Sequence, residues 1–339
     1  MYFSAGIAGL ATLLITFLPN AVYAQDQNTC TSPSVRKEWR QLSDAEKDGF
    51  HQANICLLNK PQTRYPNEGA VVTRLDDLTW THTELANVIH NVANFLPWHR
   101  LLVNEHEKLL RECGYTGPYP YWDWTIDADA DTVPTSPIWD PTHGFGGNGV
   151  ATGNSTEGFK KCVTDGPYAN LVLHVGSPTT LAAENLPHCL IREFNNNQRD
   201  SNGEWVVGDM RKRSYDSAVM EKIYAQEGYF SFEYALEQGP HGALHNLIGG
   251  DMRPHDAPND PIFYMHHANI DRVWAKWQGD NATRLHDYRG FNDVRQTQPA
   301  SINDTMPTLN LLDGEVTVRD YMNTKGGPLC YEYSDSSSA

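Results

Sequence analysis

Fourteen histidines stand in the 339-residue chain, and six of them fall into two groups of three whose spacing suits metal binding. His241 and His245, in Pro240-His241-Gly242-Ala243-Leu244-His245, are four apart, so on a helix both rings leave one face and reach a single ion. His267 supplies a third ring from the stretch Asp260 to Trp274. The other group is His82, His90 and His99. On one unbroken helix His90 and His99 would point to opposite sides, but Pro97 lies between them. A chain reversal there lets a histidine late in one helix meet a histidine at the first turn of the next. His82 is expected to join from the segment leading into the first of these helices.

The chemistry open to such groups is narrow. Gly242 occupies the place where an HExxH zinc protease needs its glutamate base, so peptide hydrolysis of that kind is excluded. Taken singly, each histidine reads as a satisfied core residue. Together, set among large apolar groups as in Asn94-Phe95-Leu96-Pro97-Trp98-His99-Arg100, they imply ligation, because buried imidazoles without partners are costly. Imidazole-only sites suit copper, zinc, iron or nickel, and the affinity order favours copper. Three nitrogens per ion leave a coordination position open for a small molecule, whereas a structural zinc site is closed by a fourth ligand. Two such sites face to face could share dioxygen. His106, two turns after His99 and about 10 Å along the helix, reads as a core or surface residue. His51, His143, His174, His188, His255, His266 and His286 have no paired spacing and are left out. Asp271, one turn after His267, is expected to orient the local histidine or backbone.

Helices must position these rings. The sequence predicts helix over 35–58 with a Ser43-Asp44-Ala45-Glu46 start, over 83–94, over 98–113, after Pro240, and over 263–277. Residues 123–165, rich in Gly, Pro, Asp and Thr, read as a long ordered loop. The fold class is therefore mainly α, with long loops and few short strands. Gly144 to Gly149 satisfies GxGxxG, but Asp140-Pro141-Thr142-His143 before it is no buried strand and nothing helical follows, so a dinucleotide site is excluded.

With 26 Lys and Arg against 42 Asp and Glu, the net charge is −16 and the dense basic run is limited to Arg211-Lys212-Arg213, which excludes nucleic acid as a partner. Residues 1–24 read as a secretory signal. Ala5 to Leu18 is a mostly apolar run of 14 residues, short of the roughly 20 that span a bilayer, and Val22-Tyr23-Ala24 suits cleavage. The positive start usual for signals is missing, so an uncleaved anchor is the alternative; secretion with no membrane span is the expectation. Sequons at Asn154, Asn281 and Asn303 fit that route. Six cysteines without a CxxC pair suit three disulfides in an oxidising compartment and exclude an iron–sulfur cluster. Many pairings are open; the nested one, Cys30 with Cys330, Cys56 with Cys113 and Cys162 with Cys189, is taken as the expectation.

At the histidine motifs the sequence resembles the type 3 copper proteins, most closely the short secreted fungal tyrosinases and catechol oxidases, the polyphenol oxidases. The second histidine of His266-His267 matches the family ligand. Tyr331-Glu332-Tyr333 is similar to the YxY signature that closes the catalytic domain, and Arg36 resembles its usual partner. The resemblance implies an antiparallel four-helix bundle over residues 25–333 holding two copper ions. His82, His90 and His99 would bind one, His241, His245 and His267 the other, with dioxygen between them and no organic cofactor. Glu237 matches an acidic residue that holds a water near the second site; Asn246 and Gly242 follow the two ligands of that helix. Val88 stands where many relatives carry a thioether cysteine, so no thioether is expected. Residues 334–339 read as a disordered polar tail, and the C-terminal shielding domain of longer fungal enzymes, with its latency, is expected to be absent.

The function so implied is oxidation of catechols to o-quinones with reduction of dioxygen to water. Gly242 lacks a side-chain amide to hold a basic water, which argues for weak monophenol hydroxylation, whereas Asn246 and Glu237 argue for a full tyrosinase. Partners would be dioxygen and small phenols: catechols, monophenols and o-aminophenols. A dioxygen carrier of hemocyanin type and a zinc-loaded protein with isomerase-like chemistry are the alternatives.

Overall fold

The computed structural model describes residues 1, 30–152, 160–176, 183–203, 205–208, 210 and 214–335. The signal read at 1–24, the Asn154 sequon, the basic run 211–213 and most of the tail lie outside the described residues. The expected helix over 35–58 divides in two. Ser34–Glu38 is a strand, β1, and helix α1, Asp44–Asn59, starts at a capping box in which Ser43 and Glu46 satisfy each other's backbone N–H groups. A second box at Thr73 and Asp76 starts helix α2, Arg74–Ile89, well before the expected Thr83. Leu75, Leu78, Leu85 and Ile89 then form its buried stripe. His82 consequently sits inside α2 rather than ahead of it, and His90 caps its C-terminal end.

Helix α3, Phe95–Glu112, follows after the turn at Asn91, whose φ of 58° lies in the left-handed region that asparagine tolerates. Pro97 sits within its first turn, where the missing N–H costs nothing. Strand β2 is Pro120–Tyr121 and helix α4 is Trp124–Asp129, so the segment expected to be loop carries structure. Beyond α4 come the hairpin pairs β3, Val150–Thr152, with β4, Lys160–Cys162; β5, Leu173–Gly176, with β6, Glu184–His188; and β7, Asn195–Arg199, with β8, Trp205–Val207. The GxGxxG glycines lead into β3, and the Asp165 carboxylate receives the Gly147 N–H at 2.8 Å, which makes them a plain turn.

Helices α5, Ser217–Tyr224, and α6, Tyr229–Leu236, were not anticipated; a wide turn through Pro240 joins α6 to α7, Gly242–Ile248. Helix α8, Ile262–Gly279, packs along α3 at the centre of the molecule. The fold is mainly helical, an antiparallel four-helix bundle with few short strands. Cys30–Cys330, Cys56–Cys113 and Cys162–Cys189 form the nested disulfide set.

The C-terminal strand β9, Tyr331–Tyr333, pairs with β1 in parallel, which brings Arg36 beside Tyr333. Asp271 does not touch a histidine, contrary to expectation. Its carboxylate accepts bonds from Arg36, Arg100, Tyr331 and Tyr333, so it ties α8 to α3 and to strands β1 and β9. Opposite charge from the two arginines holds its pKa below the ordinary value against the effect of burial. Both guanidinium groups are fully buried. Asp271→Asn is expected to strand them and to lower the urea-unfolding free energy by roughly 3–5 kcal/mol; a loss under about 1 kcal/mol would contradict this.

His106 is buried in the core, donating from Nε2 to Asn54 Oδ1 at 3.0 Å and accepting the Tyr119 hydroxyl at 2.8 Å. Burial pushes His106 down to about 3 and His51 down to about 4. Between those values and the unfolded value of about 6.5, the unfolded chain binds more protons, so stability rises with pH and is lost as pH falls. The thermal midpoint of the metal-free protein should drop between about pH 7 and pH 4, and His106→Gln should make the drop shallower. An equal slope in both proteins would refute that assignment.

Candidate metal centre

The bundle brings the six singled-out histidines into two facing groups. His82 projects from α2, His90 from its end and His99 from α3, while His241 and His245 come from the start of α7 and His267 from α8. One ring nitrogen from every member of each group lies within 4.8 Å of the others. The groups touch: His99 and His267 stack with centroids 4.4 Å apart, and His90 lies 6.1 Å from His241. Phe95 and Phe263 fill the space around both, 4.6 Å from His99 and 4.1 Å from His267.

Backbone carbonyls fix the tautomers. Nδ1 donates to the carbonyl of His255 from His82 (2.6 Å), of Ala86 from His90 (3.0 Å), of Phe95 from His99 (2.8 Å), of Glu237 from His241 (3.2 Å) and of Met252 from His245 (2.5 Å). A neutral imidazole with its proton on Nδ1 presents a bare lone pair at Nε2. Nε2 of His82 and His99 lie 3.3 Å apart, as do Nε2 of His245 and His267. Protonation does not relieve the crowding, because burial drives His90 down to about 3, His245 to about 4, and the other four well below the ordinary value. Between His82 and His99, whose Nδ1 protons are both committed to carbonyls, the remaining solution is a shared cation. His241 Nε2, buried with no hydrogen-bond partner, points to the same need. The donor set therefore fits a metal ion in each group.

A cleft of about 520 Å³ opens over the two groups, lined by His82, His90, His241 and His245 and by Glu237, Asn246, Arg253 and His255. Glu237 is not at a helix start. It lies in the wide turn between α6 and α7, where both carboxylate oxygens accept the Asn91 N–H at 2.8 and 3.0 Å. Burial raises Glu237 and its neighbour Glu233 together. Asn246 spends its Nδ2 on the Gly242 carbonyl at 2.8 Å. Val88 is half exposed, and all six cysteines are in disulfides, so no cysteine is available for a thioether.

Two histidines set aside from sequence belong to this region. His266 sits against the second group, its ring 5.1 Å from His245 and both ring nitrogens without well-formed hydrogen bonds. Direct adjacency to His267 was the available signal, and the absence of i, i+4 spacing hid it. His255 contributes its carbonyl to His82 and its ring to the cleft; nothing in its spacing marks it.

Residues 72–280 match the model of the common central domain of tyrosinase. The chain belongs to the tyrosinase family. Among curated relatives, the tyrosinase-like protein phomQ1 of Diaporthe leptostromiformis is 38% identical over 315 residues, covering 90% of this chain and 78% of its own. The N-acetyl-6-hydroxytryptophan oxidase of Emericella nidulans is 29% identical over 377 residues, 98% of this chain and 100% of its own. Among solved structures, a polyphenol oxidase variant from Thermothelomyces thermophila superposes with TM-score 0.76 at 28% identity, 91% of each chain being covered. This tyrosinase-family chain is thus a copper oxidoreductase of type 3 kind, and its family implies the dinuclear copper centre that the paired histidine groups fit.

The family resemblance points to His267 rather than His266 for the second ion, while ring nitrogens of both lie within 4.8 Å of those of His241 and His245. Equilibrium copper titration should give two ions per chain in the native protein and in His266→Ala, but one in His267→Ala. The reverse pattern would show that the adjacent ring had been misassigned.

Proposed function

We propose that this chain is a secreted catechol oxidase, converting o-diphenols to o-quinones at two coppers, one held by His82, His90 and His99 and the other by His241, His245 and His267. Copper, when bound, supplies dioxygen binding and electron transfer. Each catechol gives two electrons and two protons, and two catechols reduce one dioxygen to two waters. The observation that carries the reading is the pair of facing triads, with Nε2 atoms 3.3 Å apart in each, beneath an open cleft. Three disulfides support export through an oxidising compartment; among the described residues no helix is long and apolar enough to cross a membrane.

The chain's own groups orient the substrate and handle its protons. Phe263 packs on His267 and His82 from beneath and holds both rings in place under the cleft. Glu237, raised by burial beside Glu233, is the group assigned to take up and return a phenolic proton, and it holds His90's neighbour Asn91 in place. Asn246 helps hold a water at the same side of the cleft. That one relative is named for an N-acetylated hydroxytryptophan supports ring-hydroxylated aromatics with substituents as substrates, alongside simple catechols, monophenols and o-aminophenols.

Gly242 sets the balance between the two phenol classes. It has ordinary helical φ of −63°, and an added Cβ would meet the Glu237 carbonyl at 3.4 Å, so a side chain there is accommodated. Without an amide at this place the water near Glu237 has one hydrogen-bonding partner fewer, and monophenol deprotonation is slowed. Initial rates on a monophenol and its matching catechol should favour the catechol strongly. Gly242→Asn should raise the monophenol share several-fold. Equal efficiency in the native protein would overturn the preference, and reversible dioxygen binding without turnover would replace catalysis by carriage.

A further inference from the structure

The carbonyls that hold the ligand rings come from two sources. Those for His90, His99 and His241 belong to Ala86, Phe95 and Glu237, each four residues earlier in the same helical run, so local geometry supplies them. Those for His82 and His245 belong to His255 and Met252, on the segment 249–255 that follows α7. One ligand of each group therefore leans on the same short piece of chain.

That piece needs a restraint of its own. It opens with Gly249 and Gly250, whose φ values of 66° and 55° lie in the left-handed region, and it runs so close to Ile191 that a Cβ on Gly250 would collide with the Ile191 carbonyl. Glycines permit such a bend but do not hold it. The buried Asp251 does: its N–H donates to the Ile191 carbonyl at 2.9 Å, its Oδ2 accepts the Ile191 N–H at 2.7 Å, and its Oδ1 accepts from His188 Nε2 at 3.0 Å. His188 ends β6, and its Nδ1 donates to the Leu186 carbonyl at 2.6 Å. Facing a carbonyl on one side and a carboxylate on the other, the ring satisfies both only as an imidazolium. Burial lowers His188, but the Asp251 carboxylate outweighs it and holds the ring's pKa above the ordinary value; burial raises Asp251, with His188 opposing. The next residue, Cys189, is bonded to Cys162, which anchors that end of the contact.

We propose that His188 and Asp251 are positioning residues for the dinuclear centre: their ion pair clasps the segment 249–255 and, through the Met252 and His255 carbonyls, aims His245 and His82 at their respective ions. The pair touches neither substrate nor metal. Its loss would loosen a ligand in both groups at once, which no support local to one helix can do. This inference rests on the two-copper reading above.

The test uses full-length, copper-loaded protein with His188→Leu, which removes the donor, and His188→Gln, which keeps an N–H near the place of Nε2. His188→Leu should lower kcat for a catechol about ten-fold with KM near native, and both ions should pass to a chelator faster; His188→Gln should recover most of each loss. Isotope-edited NMR of the diamagnetic cuprous form reads the rings directly and decides. In His188→Leu the Nδ1–H protons of His82 and His245 should lose protection from solvent exchange, while those of His90, His99 and His241 keep it. Loss across all of them, loss at one of the two rings alone, or no loss overturns the proposal. Should the native protein bind no copper, the oxidase reading falls by itself, and the same NMR comparison on the metal-free chain decides the clasp by the same outcomes. Should His188→Leu fail to fold, the native protein decides: His188 must carry protons on both nitrogens at neutral pH, and the His82 and His245 protons must exchange at one shared rate. A neutral His188, or two unrelated rates, sinks the proposal.

Discussion

Imidazole nitrogens crowded against one another at the floor of a cleft are the constraint on which the rest of this structure depends. The Nδ1 protons of His82, His90, His99, His241 and His245 are committed to main-chain carbonyls, so the Nε2 lone pairs of His82 and His99 converge with no hydrogen between them, and His245 Nε2 turns its lone pair toward the His267 ring. Left alone, such an arrangement is repulsive and desolvated. A cation in each group reverses the sign of both effects. Carbonyls in turns and helix ends thereby act as the supports that hold a ligand's tautomer and direction.

The supports explain features of the fold that would otherwise be idle. The turn at Asn91 carries His90 to the first group, and Glu237, from the leading edge of the second group, grips its amide. The two halves of the centre are thus tied by a carboxylate as well as by ring stacking. Asp271 does the same at longer range. It gathers Arg36, Arg100 and the two tyrosines of β9, so the strand that closes the chain is fastened one turn from His267. Positioning the rings is therefore a property of the whole bundle, not of the local helices alone.

Much of this was legible in the sequence because histidine spacing and proline placement are local signals. The i, i+4 pair His241 and His245 and the nested cysteines describe what the chain does, whereas the reversal expected at Pro97 falls earlier, at Asn91, and Pro97 sits inside the first turn of α3. Strand β1 was misread as helix because its partners, β2 and β9, lie far away in sequence, and only pairing tells Ser34–Glu38 from a helical turn. The early start of α2 was missed because Thr73 and Asp76 form a capping box ahead of the apolar stripe, which moved His82 into the helix. His255 and Met252 act through carbonyls, which every residue possesses, so no residue type betrays them. His266 escaped for the opposite reason: its type was right, but the family resemblance assigns its neighbour to the site.

Anomalous diffraction at the copper absorption edge, on crystals of the copper-loaded protein, addresses the central claim most directly. Two peaks per chain are expected, one among the Nε2 atoms of His82, His90 and His99 and one among those of His241, His245 and His267. A single peak, or density seated on other side chains, would contradict it.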